Sequence, residues 1–194
     1  MDLDQNNELF IVRHGATKWS VSGQHTGRTD IELVSQGREE AERAGVILAG
    51  KDFSAIFTSP LQRAFETCKI AGFGNDAVVS DDLVEWDYGD FEGLTTDEIR
   101  KSIPEWTLWT HGVPGGESAA EVGRRVDRVI AAARANSGRT LCFSHGHVLR
   151  VLAARWLGLP PSGGRLFGLD SGSVSVLGWE RSDAVIRSWN LVTS

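Results

Sequence analysis

The sequence predicts an α/β fold, a three-layer sandwich whose mostly parallel central sheet carries helices on both faces. Three observations carry that expectation. Short apolar runs of strand length at residues 9–12, 55–58 and 140–143 alternate with longer amphipathic stretches. The run Leu9-Phe10-Ile11-Val12 is apolar without a break, which suits a strand covered on both sides. A chain of 194 residues with 41% hydrophobic content can bury about 70% of its unfolded surface, enough for one sizeable core. Residues 1–194 are therefore expected to form a single domain.

The elements follow in order. The first strand delivers Arg13 and His14 into a turn at Gly15, and the hydroxyl of Thr17 is placed to donate to an anion there. A polar, turn-rich stretch covers residues 23–30. A helix is predicted from Ser35, as N-cap, to Ala49, stopped by Gly50, with Ala41, Ala44, Val46, Ile47 and Leu48 on its buried face. After the strand at 55–58, Ser59-Pro60-Leu61-Gln62 reads as a helix start with an N-cap, a proline at N1 and a capping-box glutamine. That helix runs to about Ala71. Val78-Val79 is a short third strand. Residues 81–118 break the alternation with clustered acids, Trp106, Trp109 and a Pro114-Gly115-Gly116 turn, and are expected to form an insertion covering the active site. Ser118 and Glu121 form a second capping box for a helix to Asn136 with Val122, Val126, Val129, Ile130 and Ala133 on one face. A strand at 140–143, a helix at 147–157, a break at Pro160-Pro161 and two closing strands at 173–179 and 184–189 complete the chain.

Composition narrows the function. The first eight residues carry three acids and no Lys or Arg, and no apolar run approaches the about 18 residues of a membrane span, so neither signal peptide nor membrane partner is expected. A cytoplasmic location follows, and Cys68 and Cys142 are read as buried free thiols. The net charge of −6 argues against nucleic acid as a partner. A small phosphorylated substrate is the expected partner, held by a local cluster of arginines. A homodimer is neither demanded nor excluded.

That cluster has candidates. Arg63 stands in a predicted first helical turn, where the dipole disfavours a cation unless an anion shares the site. Arg38 has the same placement, but Glu39 and Glu40 are read as neutralising it. Ser144-His145-Gly146 repeats the opening logic of apolar strand, histidine and glycine. In a parallel sheet His14 and His145 project from one edge, together with Arg13 and near Arg63. One neutral imidazole can attack phosphorus while a second, protonated, donates to the transferring oxygens. Among the acids of residues 81–92, Glu85 lies between Val84 and Trp86, where burial beside a phosphate favours a proton-carrying general acid. Arg150, in the first turn after His145 with no acidic neighbour, calls for a second anion from the substrate or a salt bridge to the 81–92 stretch. His145-Gly146-His147 supplies no third ligand by spacing, so no metal and no cofactor is expected. His25 and His111 are read as rim residues. Trp86, Trp106 and Trp109 are read as core or lid packing.

Arg13-His14-Gly15, Thr26-Gly27, Ser59-Pro60-x-x-Arg63-Ala64, Glu85-x-x-Tyr88-Gly89 and Ser144-His145-Gly146 together resemble the phosphoglycerate-mutase-like branch of the histidine phosphatase superfamily. The resemblance spans nearly the whole chain and implies the phosphoglycerate-mutase-like fold. It implies a phosphohistidine on His14, a phosphate pocket of Arg13, Arg63 and His145, and Glu85 as proton donor. Ser20, Thr26, Gly27 and Tyr88 match substrate-touching positions, and Gly146 and Arg150 are added to that set. The stretch after Tyr88 holds only Arg100, Lys101 and His111 as bases, and His147 stands where mutases usually carry asparagine. The expected activity is therefore phosphomonoester hydrolysis, similar to the acid phosphatase and sugar bisphosphatase subgroup. A phosphoglycerate mutase is the alternative. A catalytically silent phospholigand-binding module is disfavoured, because binding alone needs neither nucleophile nor proton donor.

Overall fold

The computed structural model describes residues 7–193; of the eight residues read as an acidic start, 1–6 lie outside them. Its strands are β1 (Leu9–Arg13), β2 (Ala55–Thr58), β3 (Val78–Val79), β4 (Thr140–Ser144), β5 (Val174–Glu180) and β6 (Asp183–Leu191). They form one six-stranded sheet in the order β3-β2-β4-β1-β5-β6. The pairs β1·β4, β2·β4 and β2·β3 are parallel, and the closing hairpin β5–β6 is added antiparallel to β1. The mostly parallel sheet is thus the one the alternating pattern predicts.

The unbroken apolar run of β1 has the expected cause. Leu9 and Ile11 enter a core beneath α6 (Ala119–Ala135) and α7 (Gly146–Trp156), whereas Phe10 and Val12 enter a second core with α2 (Ser35–Leu48) and α3 (Gln62–Ile70). Side chains alternate between faces with period two, and both faces are covered. Val122, Val126, Val129 and Ile130 line the inner face of α6, whose start carries the predicted Ser118–Glu121 capping box.

Several local expectations are corrected. Ser35 is already helical rather than the cap of α2, because Val34 precedes it in extended conformation with its N–H bonded to Ala16 O. Val46 is 69% exposed and not part of the buried face. Ser59 does not open α3, which begins three residues later; the chain stays extended through Leu61. Thr17 caps a short helix α1 (Lys18–Ser22) absent from the sequence reading, so its Oγ1 accepts from Ser20 N–H instead of facing an anion. Arg38 pairs with Glu66 rather than with its acidic neighbours, while Glu40 is buried and accepts from Ala16 N–H at 2.7 Å.

Residues 81–118 contain two short helices, α4 (Thr96–Arg100) and α5 (Leu108–His111), and send Leu83, Trp86, Ile99 and Trp106 into the α6–α7 core. Cys68 and Cys142 are buried and free, and burial pushes both thiols up to about 12. No helix among the described residues is long and apolar enough to cross a membrane.

Candidate active site

The sheet brings the chemistry together by register. Arg13 pairs with Ser144 across β1 and β4, so His14 and His145 leave the same edge side by side, with ring centroids 5.1 Å apart at 60°. The turn beyond His14 packs against α2 so closely that a Cβ on Gly15 would lie 2.0 Å from Gly37 O. Only glycine permits that approach.

His14 is 5% exposed, and its Nδ1 lies 2.7 Å from Gly15 O. A carbonyl only accepts, so Nδ1 carries the hydrogen and a neutral ring leaves Nε2 with its lone pair free. Burial, then the charges of Arg63 and Arg13, lowers the His14 pKa well below the usual histidine value. The neutral, nucleophilic form is the one this environment favours.

His145 departs from the sequence expectation of a protonated donor. It is fully buried; Arg63 Nε donates to its Nδ1 at 3.1 Å, and its Nε2 donates to Ser59 Oγ at 2.8 Å. Both nitrogens have protein partners, and burial, then Arg63 and His14, pushes its pKa well down. Arg63, also fully buried, spans the loop before α2 by donating to the carbonyls of Thr26, Gly27 and Thr29 at 2.9–3.0 Å. Its helix-start position thus serves the loop and His145 together.

Arg13 donates Nη1 to Leu169 O, but its Nε is buried and unpartnered. An unpaired buried donor on a cation is costly unless a ligand completes it. A Cβ on Gly146 would lie 3.4 Å from that Nε and 3.7 Å from Glu85 Oε2. The glycine therefore keeps a gap open between guanidinium and carboxylate. Glu85 sits at the start of α7: Oε1 accepts from Trp86 and Val148 N–H at 2.9 Å, and Oε2 accepts only from His147 N–H at 3.0 Å. Oε2 is the oxygen with capacity left on the gap side.

These groups open into a cavity of about 770 Å³ lined by Arg13, His14, Glu85 and Gly146 at its floor. A second cavity of about 530 Å³ shares Arg13 and Ser20 with it but holds neither histidine. Of the remaining predicted contacts, Ser20, Thr26, Tyr88 and Arg150 line the larger cavity. Gly27 does not; its N–H is bound by the Glu92 carboxylate at 2.9 Å. Arg150 makes no ion pair among the described residues, so the salt bridge to residues 81–92 is not formed; its guanidinium lies 4.7 Å from the Trp109 ring centroid.

Other residues of the site escape the sequence reading. His25 is buried, not at the rim, because its backbone pairs with Leu94 and its ring packs on Tyr88 and Trp106. Trp109 is half-buried and forms cavity wall as well as lid packing. Arg165 joins Arg13, Arg100 and Arg150, giving four arginines around one carboxylate, Glu85. Arg125 donates to Val84 O and Glu85 O and pairs with Glu117 at 2.8 Å, fixing the backbone that carries Glu85. The signal for Arg125 was available: a charged residue at an apolar register of α6, three after Val122. No group of three or more His, Cys, Asp or Glu among the described residues is arranged to hold a metal ion.

Fold and site together define a class: α/β proteins in which two histidines leave adjacent parallel strand ends, with arginines beside them, at the floor of a cavity. Within it, this chain belongs to the histidine phosphatase superfamily (branch 1), whose profile its residues 9–192 match. It is 43% identical over 180 residues to an acid phosphatase of Mycobacterium tuberculosis, covering 91% of this chain and 88% of the relative. It is 38% identical over 182 residues to the sedoheptulose 1,7-bisphosphatase of Saccharomyces cerevisiae, covering 77% of this chain and 67% of the relative. A solved structure of an open reading frame from M. tuberculosis superimposes with a TM-score of 0.92 at 40% identity, over 96% of this chain and 98% of the other.

Proposed function

We propose that this chain hydrolyses phosphomonoesters of small metabolites through a phosphohistidine on His14, with no metal. The observation that carries the reading is the His14 ring: its Nδ1–H is held by Gly15 O, which leaves the Nε2 lone pair free in a cavity that Arg13, with its unpartnered Nε, also lines. Nε2 attacks phosphorus as the bond to the leaving oxygen breaks, and Arg13 stabilises the transferring oxygens. Arg63 and His145 act from behind, holding the loop and the His14 ring in place, and Arg63 adds positive charge. Glu85 Oε2 gives a proton to the departing alkoxide. As carboxylate it then takes a proton from the water that attacks the phosphohistidine, and the P–N bond breaks to release phosphate.

The four cavity arginines favour a substrate with a second anion, and sugar bisphosphates are our first choice. Arg150 is the proposed distal partner. The bisphosphatase among the relatives supports the same class. We read residues 1–194 as one domain with residues 81–118 as the cover over this cavity, working in the cytoplasm.

The test is rapid-quench labelling with a phosphorylated substrate, followed by a panel that sets sugar bisphosphates against monophosphates, with 3-phosphoglycerate as control. An acid-labile, alkali-stable adduct on His14 and net release of phosphate are expected. Label on serine, aspartate or cysteine would overturn the mechanism, and interconversion of phosphoglycerates without net hydrolysis would place the chain with the mutases.

A further inference from the structure

The cavity wall holds a hydrogen bond that the phosphoryl chemistry does not use. Tyr88 Oη lies 2.6 Å from His147 Nδ1, and it has no other protein partner among the described residues. Tyr88 is 2% exposed, its ring held edge-on by His25 at 4.8 Å. The His147 ring lies parallel to that of His25 and edge-on to Trp109 at 5.4 Å. Neither ring is free to turn away.

The need to satisfy the buried phenol indicates which atom donates. Tyr88 is 2% exposed, and the contact at 2.6 Å is the one protein hydrogen bond open to its O–H among the described residues. The phenol O–H therefore donates to an unprotonated Nδ1. Burial, then Glu85, holds the phenol protonated; burial, then Arg150 and His25, lowers the His147 pKa well below its ordinary value. A neutral imidazole that accepts at Nδ1 carries its hydrogen on Nε2. Nε2 has no protein partner among the described residues. It is also not one of the fully buried unpartnered atoms, which are Asn7 Oδ1 and Arg13 Nε. It therefore opens to the cavity that His147 lines. The backbone N–H of His147 binds Glu85 Oε2, so the donor is fixed relative to the carboxyl that serves the ester oxygen.

We propose that His147 is a specificity-determining residue, fixed by Tyr88 as the Nε2–H tautomer so that it donates a hydrogen bond to a hydroxyl, carbonyl or carboxylate oxygen of the leaving group. The proposal rests on the phosphatase reading above. It assigns Tyr88 a positioning role through His147. It also separates two kinds of recognition, because a neutral N–H selects any acceptor oxygen whereas the Arg150 cation selects charge.

Two experiments test it. Long-range 1H–15N spectra of histidine-labelled protein read the tautomer without turnover. His147 Nδ1 is expected as the unprotonated ring nitrogen and Nε2 as the protonated one, with the two mixed or reversed in Tyr88→Phe, which keeps the ring. A protonated Nδ1 in the wild-type protein overturns the proposal. In kinetics, His147→Ala is expected to lower kcat/KM about tenfold on a hexose bisphosphate and about twofold or less on phenyl phosphate, whose leaving group has no acceptor beyond the ester oxygen. His147→Gln, which returns an amide N–H, is expected to recover most of that loss. Equal losses on both substrates in an active enzyme overturn the inference alone. A wild-type protein inert toward both overturns the phosphatase reading, and the leaving-group contact with it.

Discussion

The floor and the wall of the cavity are built by different means. Arg13 and His14 of the floor, with Arg63 and His145 buried behind them, sit on the ends of β1 and β4 and the start of α3, and they bind one another or the backbone. Their positions are set by strand register, so moving one disturbs the sheet. Tyr88, Trp109, Arg100 and Arg165 come from segments outside the sheet, and all but the exposed Arg165, together with His25, His147 and Arg150, are held by ring packing or by bonds to nearby carbonyls. The wall can change while the floor stays fixed. Reaction type therefore resides in the topology, and substrate choice in residues that the topology does not constrain.

That division predicts a graded set of effects. The largest belongs to the floor: His14→Ala is expected to lower kcat by about three orders of magnitude or more on every substrate, checked by steady-state turnover and by loss of the labelled adduct. A loss confined to some substrates would move His14 to the wall. Glu85→Gln stands at the boundary. It should cost about 10²–10⁴-fold on an alkyl phosphate and far less on nitrophenyl phosphate, which leaves without a proton. Equal losses would show that the substitution acts by disturbing the bonds to the two N–H groups at the start of α7 and to Trp86 N–H instead.

On the wall, Arg150→Ala is expected to cost about 1.5–3 kcal/mol in kcat/KM for a sugar bisphosphate and little for a monophosphate. Loss of discrimination between those substrates, with the monophosphate rate retained, is the reading that supports it. Equal loss on both would return Arg150 to the scaffold.

A smaller effect is shared by floor and wall. His14, His145 and His147 have pKa values lowered in the folded chain, chiefly by burial. As pH falls below about 6.5, the unfolded chain takes up protons that the folded chain refuses, so stability is lost toward acid and is fully present above that value. Each group adds up to about 1.4 kcal/mol per pH unit until its folded value is reached. Urea melts between pH 7.5 and 5 measure the slope, and a flat profile would mean the rings take up protons alike in the folded and unfolded chains. Last, dialysis against a chelator is expected to change turnover by nothing measurable. Activity lost and then restored by one divalent ion would give His145 and His147 the ligand role rejected above.

Much of the floor was legible because strand ends announce themselves: an apolar run, then Arg13-His14-Gly15, and again Ser144-His145-Gly146. Arg63 drew notice as a cation misplaced on its helix, although the structure answers with carbonyls and His145 where the sequence suggested an anion. The state of His145 was not legible, since it depends on Arg63 and Ser59, which approach only in three dimensions. Ser59 itself was misread as a cap because the same hydroxyl suits either role. His25 and Trp109 were hidden for another reason. His25 is buried by the return of residues 91–106 over the loop before α2, and Trp109 packs on Trp86 and His147 far along the chain, contacts that no local periodicity encodes. Arg125 and Glu92 fall between these cases, one visible as a charge at an apolar register and the other lost in a run of acids.

The pairing of Arg13 with Ser144 also bears on how the chain comes to be assembled. β4 lies between β1 and β2, so the first two strands cannot become neighbours of a finished sheet until the polypeptide beyond α6 has arrived. During synthesis β1 must wait with both edges unpaired and β2 with one, the condition in which strands recruit wrong partners. The closure that ends this wait is the same event that sets His14 beside His145. A chain released before β4 has docked would carry His14 apart from His145, and its unpaired strand edges would leave it prone to aggregate.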